Sequence, residues 1–323
     1  MTQQYDVTDP EADTRLDRFL KRQIEGLNQS IIQKLLRTGK IRVNGARAEA
    51  NTRLNAGDSV LVPDLTPPRE MPKTRHVMVM DAHAISDLEA MILYRDDAII
   101  VLNKPAGLPA QGGKGIAVHL DGMLDALRFD GTERPKLVHR LDRDTSGVLL
   151  LARGVKAASK LAAAFRGRDV EKTYWALLWG VPDVLAGRID LPLVRVESGG
   201  SSRAEPAGRK DPAALKAVTD YKIIDYAGKR FALAQLNPQT GRMHQLRAHM
   251  LALGTPILGD AAYGAAFADG FAAQLHLHAR RLSLPHPDGG ALTIEAPLPK
   301  HMRDAFTHLG FQAPDAISPI RRV

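Results

Sequence analysis

A proline-rich stretch near the start of the chain is the sequence feature that most limits how it can fold. Pro63, Pro67, Pro68 and Pro72 stand among mixed charges with little hydrophobic periodicity. Such a stretch continues neither a helix nor a central strand, and it is typical of a stiff spacer. The 323-residue chain is also long enough for roughly two domains. The sequence therefore predicts a small N-terminal domain, a spacer and a larger domain.

Positive charge is concentrated in the small domain. Between Arg15 and Arg47 nine lysines and arginines stand against only Asp17 and Glu25, whereas the whole chain has a net charge of +8. A basic surface of this kind favours a polyanionic partner. The alternative to a polyanion-binding surface is a basic surface that contacts only solvent. Charge alone does not decide between the two.

Hydrophobic spacing predicts an α+β fold for this domain. The apolar residues of Leu16–Ile24 recur at helical spacing, and a second amphipathic helix should begin at Gln29 or Ser30. The Asn-Gly pair at 44–45 predicts a hairpin turn, and Val60–Val62 predicts a closing strand.

The larger region also mixes strands and helices, without a βαβ repeat. Tyr174 and Trp175 are adjacent in one predicted strand, so they should face opposite sides of the sheet. The clearest segments are three strands, at Ala98–Leu102, Val148–Ala152 and Thr173–Leu178, and one helix, at Ala157–Phe165.

Composition excludes several classes of protein. The chain has no cysteine, so disulfides, thiolate metal sites and cysteine nucleophiles are ruled out. No apolar stretch approaches the roughly 20 residues of a membrane span, and the acidic first residues do not resemble a signal peptide. A nucleotide-binding P-loop sequence is also absent. We expect a cytoplasmic protein with no membrane partner.

A polar loop before a buried strand carries the densest set of reactive side chains. It covers Val138–Gly147 (VHRLDRDTSG) and leads directly into the apolar strand. Loops on a rigid scaffold commonly hold catalytic groups. Either Asp142 or Asp144 could be a nucleophile, a general base, a metal ligand or a helix cap, and a turn with surface charges is also compatible. Spacing does not choose between the two aspartates.

A second polar cluster lies in Gln239–His249 (QTGRMHQLRAH). Its histidines, His244 and His249, are five residues apart and the segment contains no carboxylate, which disfavours a zinc site. Arg242 and Arg247, together with amide and imidazole donors, suit a phosphate or carboxylate partner.

The small domain resembles the S4 RNA-binding module from Thr14 to Pro63. The resemblance is carried by RLDRFL, a basic second helix, GKIRVNG and AGDSVLVP. It implies that the basic residues contact RNA phosphates, which position an RNA without reading its sequence. The candidate phosphate contacts are Arg15, Arg18, Lys34, Arg37, Lys40 and Arg42.

The larger region resembles the RluA/RluC/RluD family of RNA pseudouridine synthases. The motifs are DDAIIVLNKPAG, HRLDRDTSGVLLLA, VEKTYWALLWG, TGRMHQLRAHM, GTPILGDAAYG and LHLHARRLSLPHP, in this order. With the S4-like part the similarity covers about Thr14 to Leu309, and it is greatest to the RluC type, whose members modify large-subunit (23S) ribosomal RNA. One departure is Ala110-Gln111, where such proteins tend to have valine and histidine.

This resemblance implies a domain plan and an activity. It predicts an S4-like domain over residues 14–63, a linker over 64–87, a catalytic domain over 88–312 and a basic tail over 313–323. The catalytic domain should be a mixed, mainly antiparallel sheet flanked by helices and loops. The implied activity is the isomerisation of uridine to pseudouridine in ribosomal RNA, without a metal or organic cofactor. We expect a monomer. The alternatives are the same chemistry on transfer RNA and a non-catalytic ribosome-assembly factor.

The resemblance also assigns roles to individual residues. Asp142 corresponds to the catalytic aspartate of the family, and Arg242 to the cation that offsets its burial. Tyr174 would stack on the target base, and Arg140 would fill the space that the flipped base leaves. A structural role is implied for Lys104, and roles as hydrogen-bonding scaffold for His139, His244 and His249.

Overall fold

The computed structural model describes residues 2–24, 27–63, 80–113, 115–167, 169–198, 201–264, 273–312 and 321–322. The backbone divides into two units, Met1–Arg75 and His76–Val323. In these ranges no helix has both the length and the apolar character needed to cross a membrane.

The small unit packs two helices on a four-stranded antiparallel sheet of order β1-β4-β2-β3. Both predicted helices and the hairpin at Asn44-Gly45 are confirmed. The second helix begins at Gln29 because the side chain of Asn28 accepts the N–H of Ile31 at 3.0 Å. The elements are β1 (Thr2–Asp6), α1 (Leu16–Gln23), α2 (Gln29–Arg37), β2 (Arg42–Val43), β3 (Ala46–Arg47) and β4 (Ser59–Pro63).

The larger unit contains the remaining helices and strands. Its helices are α3 (Ala82–Glu89), α4 (Leu120–Met123), α5 (Val155–Gly167), α6 (Gln245–Ala252) and α7 (Lys300–Leu309). Its strands are β5 (Ile92–Arg95), β6 (Ile99–Lys104), β7 (Lys136–Leu137), β8 (Ser146–Ala152), β9 (Glu171–Trp179), β10 (Ala186–Asp190), β11 (Leu193–Ser198), β12 (Ser201–Pro206), β13 (Val218–Ala227), β14 (Phe231–Pro238), β15 (Leu277–Pro285), β16 (Ala291–Glu295) and β17 (Arg321–Arg322).

A long mixed sheet organises this unit. Its main path is β10-β13-β14-β9-β15-β8-β6-β5, with β7, β16 and β17 attached at its sides. The pairing of β15 with β8 is parallel, and the other pairings along this path are antiparallel. The predicted mixed, mainly antiparallel sheet is therefore confirmed. Strands β11 and β12 form a separate hairpin.

The central strands are apolar on both faces because both faces are covered. In β8, Val148 and Leu150 join a core with helix α5, whereas Leu149 and Leu151 join a core with α3 and α4. A strand buried on two sides appears as a continuous apolar run, which explains the SGVLLLA sequence.

The structure differs from the predicted boundaries in three places. Strand β1 precedes residue 14 and pairs with β4, so the small unit begins earlier than predicted. Helix α3 begins inside the predicted linker, at residue 82, and extends past its end. Asp81 caps this helix through the N–H of Ala84 at 2.8 Å, and its Leu88 is fully buried. Within the predicted tail, Arg321 and Arg322 pair with β16 as strand β17. Residues 64–79 and 313–320 lie outside the described ranges.

Gly147 allows the parallel pair of strands to meet. It has φ +110°, and a Cβ atom placed there would lie 2.2 Å from the carbonyl oxygen of Ala279 in β15. Its residue partner across the pair is that same Ala279. A side chain at this position would push β8 away from β15.

We predict that Gly147→Ala lowers the free energy of unfolding by on the order of 3 kcal/mol, because positive φ and a backbone clash act together. Gly208→Ala is the matched control, since Gly208 has no atom within 4 Å of an added Cβ. Thermal or urea unfolding measures both. Equal stability of the two variants would contradict the close approach of the strands.

Candidate active site

Asp142 lies in a loop that backbone hydrogen bonds hold against the NKPAG turn. The carbonyl of Arg143 accepts the N–H of Gly107 at 2.9 Å, and the carbonyl of Asp142 accepts the N–H of Thr145 at 3.2 Å. The loop joins β7 to β8 and so ends at the centre of the sheet. The Asp142 side chain is 34% exposed, which leaves the carboxylate accessible at a fixed position.

Lys104 completes this attachment. Its side chain is fully buried, and its ammonium donates to the carbonyl oxygens of Pro105, Leu108 and Arg143 at 2.8–2.9 Å. Burial lowers the pKa of Lys104 to about 8, against the opposing charges of Asp144 and Asp142. All three ammonium hydrogens are used by backbone acceptors, so the side chain fastens the turn to the Asp142 loop, in the structural role that was expected.

Tyr174 lies beside this loop because three strands are in register. Ala279 of β15 pairs with Tyr174 of β9 on one side and with Gly147 of β8 on the other. Tyr174 is half-buried, and burial raises the pKa of its hydroxyl, with the charge of Asp142 adding to the effect. Trp175 faces the other side of the sheet and stacks on Phe306 at 6.3 Å between ring centroids. The predicted opposite facing of the two aromatic residues is confirmed.

The second polar cluster forms the turn before helix α6 and the start of that helix. The buried side chain of Gln245 fastens this turn: its Oε1 accepts from Thr240 Oγ1 at 2.6 Å and from the N–H of Arg242 at 3.1 Å. Its Nε2 donates to the carbonyl of Val218 at 2.9 Å. The turn ends at His244, whose φ of 50° is left-handed.

Arg247, in the first turn of α6, is the buried cation of the site. It forms a two-point ion pair with Asp260, with distances of 2.7 Å and 2.6 Å, and its side chain is only 6% exposed. Burial lowers the pKa of Arg247, but the hydrogen bond and charge of Asp260 and the charge of Asp142 outweigh this, so the pKa is raised. Arg247 therefore stays charged and acts electrostatically on Asp142.

Arg242, the expected partner of Asp142, makes no ion pair with that carboxylate in the structure. Arg242 is exposed, and its Nε donates to the carbonyl of Lys216 at 3.0 Å. Among the described residues no carboxylate lies within ion-pair distance of its guanidinium. The reason is positional: Arg242 lies in the exposed turn, whereas Arg247 lies on the helix that packs into the core.

The sequence does contain a signal that points to Arg247. Asp260 is the only carboxylate in residues 248–264, which are otherwise apolar or uncharged apart from His249. A carboxylate in such a segment needs a buried cation, because an unpaired buried charge is strongly unfavourable. Arg247 is the nearest basic residue along the chain.

The remaining residues of the polar loop separate by burial. Arg140 is exposed, and its Nη1 donates to Oε1 of Gln111 at 3.2 Å. His139 points inward, where its Nε2 accepts the N–H of Leu150 at 2.9 Å and burial lowers its pKa to about 3. His139 is thus a neutral hydrogen-bond acceptor, as expected of a scaffold residue.

The other two histidines of interest have different surroundings. His249 is fully buried, with Nδ1 2.9 Å from Thr219 Oγ1 and Nε2 3.0 Å from the carbonyl of Leu191, so it belongs to the scaffold as expected. His244 instead approaches the carboxylate, with its Nε2 4.0 Å from Oδ2 of Asp142. Within the described ranges no group of three or more histidines and carboxylates is arranged to hold a metal ion.

A basic groove lies in the small unit. It has a volume of about 720 Å³ and includes Arg15, Lys34 and Arg37 in its lining. Arg15 is engaged in a two-point ion pair with Asp17, at 2.9 Å and 3.1 Å. The side chains of Lys34 and Arg37 are exposed, as are those of Arg18, Lys40 and Arg42.

Arg42 also forms hydrogen bonds inside the small unit. Its guanidinium donates to the carbonyls of Gly39 and Gly45, at 3.3 Å and 2.9 Å. These bonds brace the loop between α2 and the β2–β3 hairpin. Of the six predicted phosphate contacts, Arg15 and Arg42 therefore have partners inside the unit.

Comparison with known proteins agrees with this arrangement. Residues 14–60 match the S4 domain model, and residues 98–252 match the model described as RNA pseudouridylate synthase. The two matches define a chain in which an S4 domain precedes an RNA-modifying domain. Among solved structures, human RNA pseudouridylate synthase domain containing 4 is 31% identical, with a TM-score of 0.61, over 72% of this chain and 97% of that chain.

Full-length relatives extend the match. The Ribosomal large subunit pseudouridine synthase C of Vibrio cholerae is 35% identical over 94% of this chain and 96% of its own length. The protein of the same name from Rickettsia prowazekii is 38% identical over 88% of this chain and 94% of its own length. The chain belongs to the RNA pseudouridylate synthase family.

The two arginines provide a matched test of the site. We predict that Arg247→Lys lowers kcat for pseudouridine formation about 10- to 100-fold, because lysine keeps the charge but cannot make the two-point contact with Asp260. Arg242→Lys is the same chemical change on the exposed residue and should lower kcat less than about threefold. Tritium release from RNA labelled at uracil C5 measures both rates, with thermal unfolding as the check on folding. A larger loss in the Arg242 variant would contradict the assignment.

Proposed function

We propose that this protein isomerises specific uridines to pseudouridine in large-subunit ribosomal RNA. The observation that carries the proposal is the partly exposed Asp142 carboxylate, fixed in the HRLD loop and acted on by the buried charge of Arg247. The substrate class is supported by relatives that are named ribosomal large subunit pseudouridine synthase C and match along nearly their whole length.

The proposed chemistry uses Asp142 in its ionised form. The bond between uracil N1 and the ribose breaks, the base rotates, and C5 bonds to the same ribose carbon. The proton on C5 leaves and N1 gains one, so the atoms balance and no oxidant, reductant or metal takes part. The positive charge of Arg247 acts on this carboxylate in a site from which water must be kept. Tyr174, beside the loop, would pack on the face of the detached base.

The target base has to leave its stack before it can reach Asp142. Base flipping costs on the order of a few kcal/mol. Arg140 is exposed two residues before Asp142, and Gln111 holds its guanidinium at 3.2 Å. We propose that Arg140 occupies the space that the flipped uridine leaves.

The small unit supplies the second contact with RNA. Lys34, Arg37 and Lys40 are exposed on α2 and the turn after it, and in the described part of the unit none of them forms an ion pair. These three cations are available for RNA phosphates, and Arg18 on α1 is exposed as well. Arg15 lines the groove and is at the same time ion-paired with Asp17.

Two further expectations belong to this proposal. The relatives that match along nearly their whole length come from bacteria, in which ribosomal RNA is made in the cytoplasm, and we propose that this protein acts there as well. One chain carries both the groove and the Asp142 loop, so the proposal requires no second copy, and we propose that the protein acts as a monomer.

We predict that Asp142→Asn abolishes tritium release from C5-labelled large-subunit ribosomal RNA while RNA binding stays within about threefold, because an amide keeps the shape but loses the reactive charge. The matched control is Asp144→Asn, two residues away, where the carboxylate is paired with Arg143 at 2.9 Å. Its rate should remain within about threefold of wild type.

A transfer-RNA pool is assayed in parallel. Release of tritium from transfer RNA alone would support the proposed isomerisation but contradict ribosomal RNA as the substrate. Tight binding with no release from any RNA would favour the non-catalytic assembly factor. Substantial release by Asp142→Asn would contradict the mechanism.

The basic groove generates a prediction about salt. Replacing Lys34, Arg37 and Lys40 together with glutamine should reduce the slope of log affinity against log salt by about two to three units, roughly one for each phosphate whose cation is removed. Arg53→Gln is the control, because Asp13 already neutralises Arg53 at 2.8 Å. Fluorescence anisotropy over a salt series measures the slopes. An unchanged slope in the triple variant would place the RNA elsewhere.

A further inference from the structure

A chain of polar contacts connects Asp142 to the β11–β12 hairpin through two residues. Nε2 of His244 lies 4.0 Å from Oδ2 of Asp142, and its Nδ1 lies 3.3 Å from the hydroxyl of Tyr263. That hydroxyl lies 2.9 Å from the carbonyl oxygen and 3.0 Å from the amide nitrogen of Ala204 in β12. We infer that His244 is a positioning residue for Asp142 and that Tyr263 fixes its ring. The inference rests on the proposed function, because Asp142 is the group that His244 serves.

The backbone of His244 is strained at the residue that makes this contact. Its φ and ψ are 50° and 22°, a left-handed conformation that is unfavourable for a residue with a Cβ atom. The residue precedes the first turn of α6, yet its side chain makes no capping hydrogen bond there. The side chain of Gln245, rather than that of His244, makes the hydrogen bonds that hold this turn. The imidazole is thereby left to face Asp142 on one side and Tyr263 on the other.

The hydrogen bonds of Tyr263 determine which ring nitrogen of His244 carries the proton. The phenol has one hydrogen, which it donates to the carbonyl of Ala204, and its oxygen accepts the N–H of the same residue. Its oxygen therefore accepts from Nδ1–H of His244, and Nε2 is directed at the carboxylate. At 4.0 Å, Nε2 makes no hydrogen bond to Oδ2, and the ring attracts the carboxylate electrostatically when Nε2 also carries a proton.

The surrounding charges determine when His244 takes up a proton. Burial lowers the pKa of His244, and the charge of Asp142 acts in the opposite direction. Arg247 also lowers it, whereas Asp260 and Asp144 raise it. The ring is therefore mainly neutral at pH 7 and gains its proton as the pH falls.

Tyr263 is well placed to hold the ring. It is buried, and its ring lies edge-on to His244 with 5.8 Å between centroids. The guanidinium carbon of Arg247 lies 5.1 Å from the centroid of the Tyr263 ring. One aromatic side chain thus contacts both the histidine and the arginine that act on Asp142.

The kinetic experiment compares two replacements of His244. Asparagine places an amide near the position of Nδ1 and tolerates a left-handed backbone, whereas glutamine reaches toward the position of Nε2. We expect single-turnover rates to fall more than tenfold in His244→Asn and by less in His244→Gln, with KM within twofold. The positioning role would be overturned if both variants lost the same fraction of the rate in proportion to their loss of thermal stability. A change in KM with no change in rate would overturn it as well.

A double-mutant cycle tests the contact with Tyr263. Tyr263→Phe should lower the single-turnover rate, and adding His244→Asn should lower it little further, because both changes break the same chain. Rates that multiply would show that the two residues act separately and would contradict the inference.

The contact with Asp142 is tested without any activity by NMR titration of the histidine rings. The His244 signal is assigned by its loss in His244→Asn. We expect Asp142→Asn to lower the pKa of His244, because a favourable negative charge is removed. Asp144→Asn is the control and should shift it by less. An unchanged His244 pKa in Asp142→Asn would overturn the inference.

The two readouts separate this inference from the proposed function. If His244 responds to Asp142→Asn but the wild-type protein releases no tritium from any RNA, the proposed function fails and the contact stands. If tritium is released but His244 does not respond, the function stands and the inference fails.

Discussion

The buried ion pair of Arg247 and Asp260 is the interaction on which the candidate active site depends. In the proposed mechanism Asp142 reacts as a carboxylate, and Arg247, in the first turn of α6, provides a positive charge that acts on it. That charge is retained under burial because Asp260 engages it at two points. Removing one partner of such a pair costs roughly 3–5 kcal/mol, since the other charge is left unpaired. The ion pair therefore has two effects: it maintains the positive charge at the site, and it anchors helix α6 to the segment that carries Asp260.

The position of Asp142 depends on backbone bonds rather than on its own side chain. Lys104 and Gly107 both bond to the carbonyl of Arg143, and Gly147 lets β8 lie close against β15. The carboxylate is thus set by residues in three separate motifs of the sequence. The separation of these motifs along the chain does not show that they are neighbours in space. They become neighbours only because the sheet brings them together.

Much of the fold could be predicted because its signals are local. The helices at Leu16–Gln23 and Gln29–Arg37 follow from hydrophobic spacing, and the strand at Ser146–Ala152 follows from an uninterrupted apolar run. Strand β1 gave no comparable signal, because the polar TQQYD sequence forms a strand through its pairing with β4. Helix α3 was missed because its stability depends on a cap at Asp81 and on the burial of Leu88 in a distant core.

The site was predicted in part for the same reason. Asp142 and Tyr174 were assigned through their motifs, and the structure brings them together through the register of three strands. The choice between Arg242 and Arg247 needed three-dimensional information, since both stand in one motif and only their burial and partners differ. The approach of His244 to Asp142 likewise depends on a backbone conformation that sequence spacing does not reveal.

The most direct test of the central claim is a map of pseudouridine in large-subunit ribosomal RNA from cells that lack this protein. The account predicts that particular uridines are unmodified there, that the wild-type gene restores them and that the Asp142→Asn gene does not. An identical map in the presence and absence of the protein, or restoration by the Asp142→Asn gene, would contradict it.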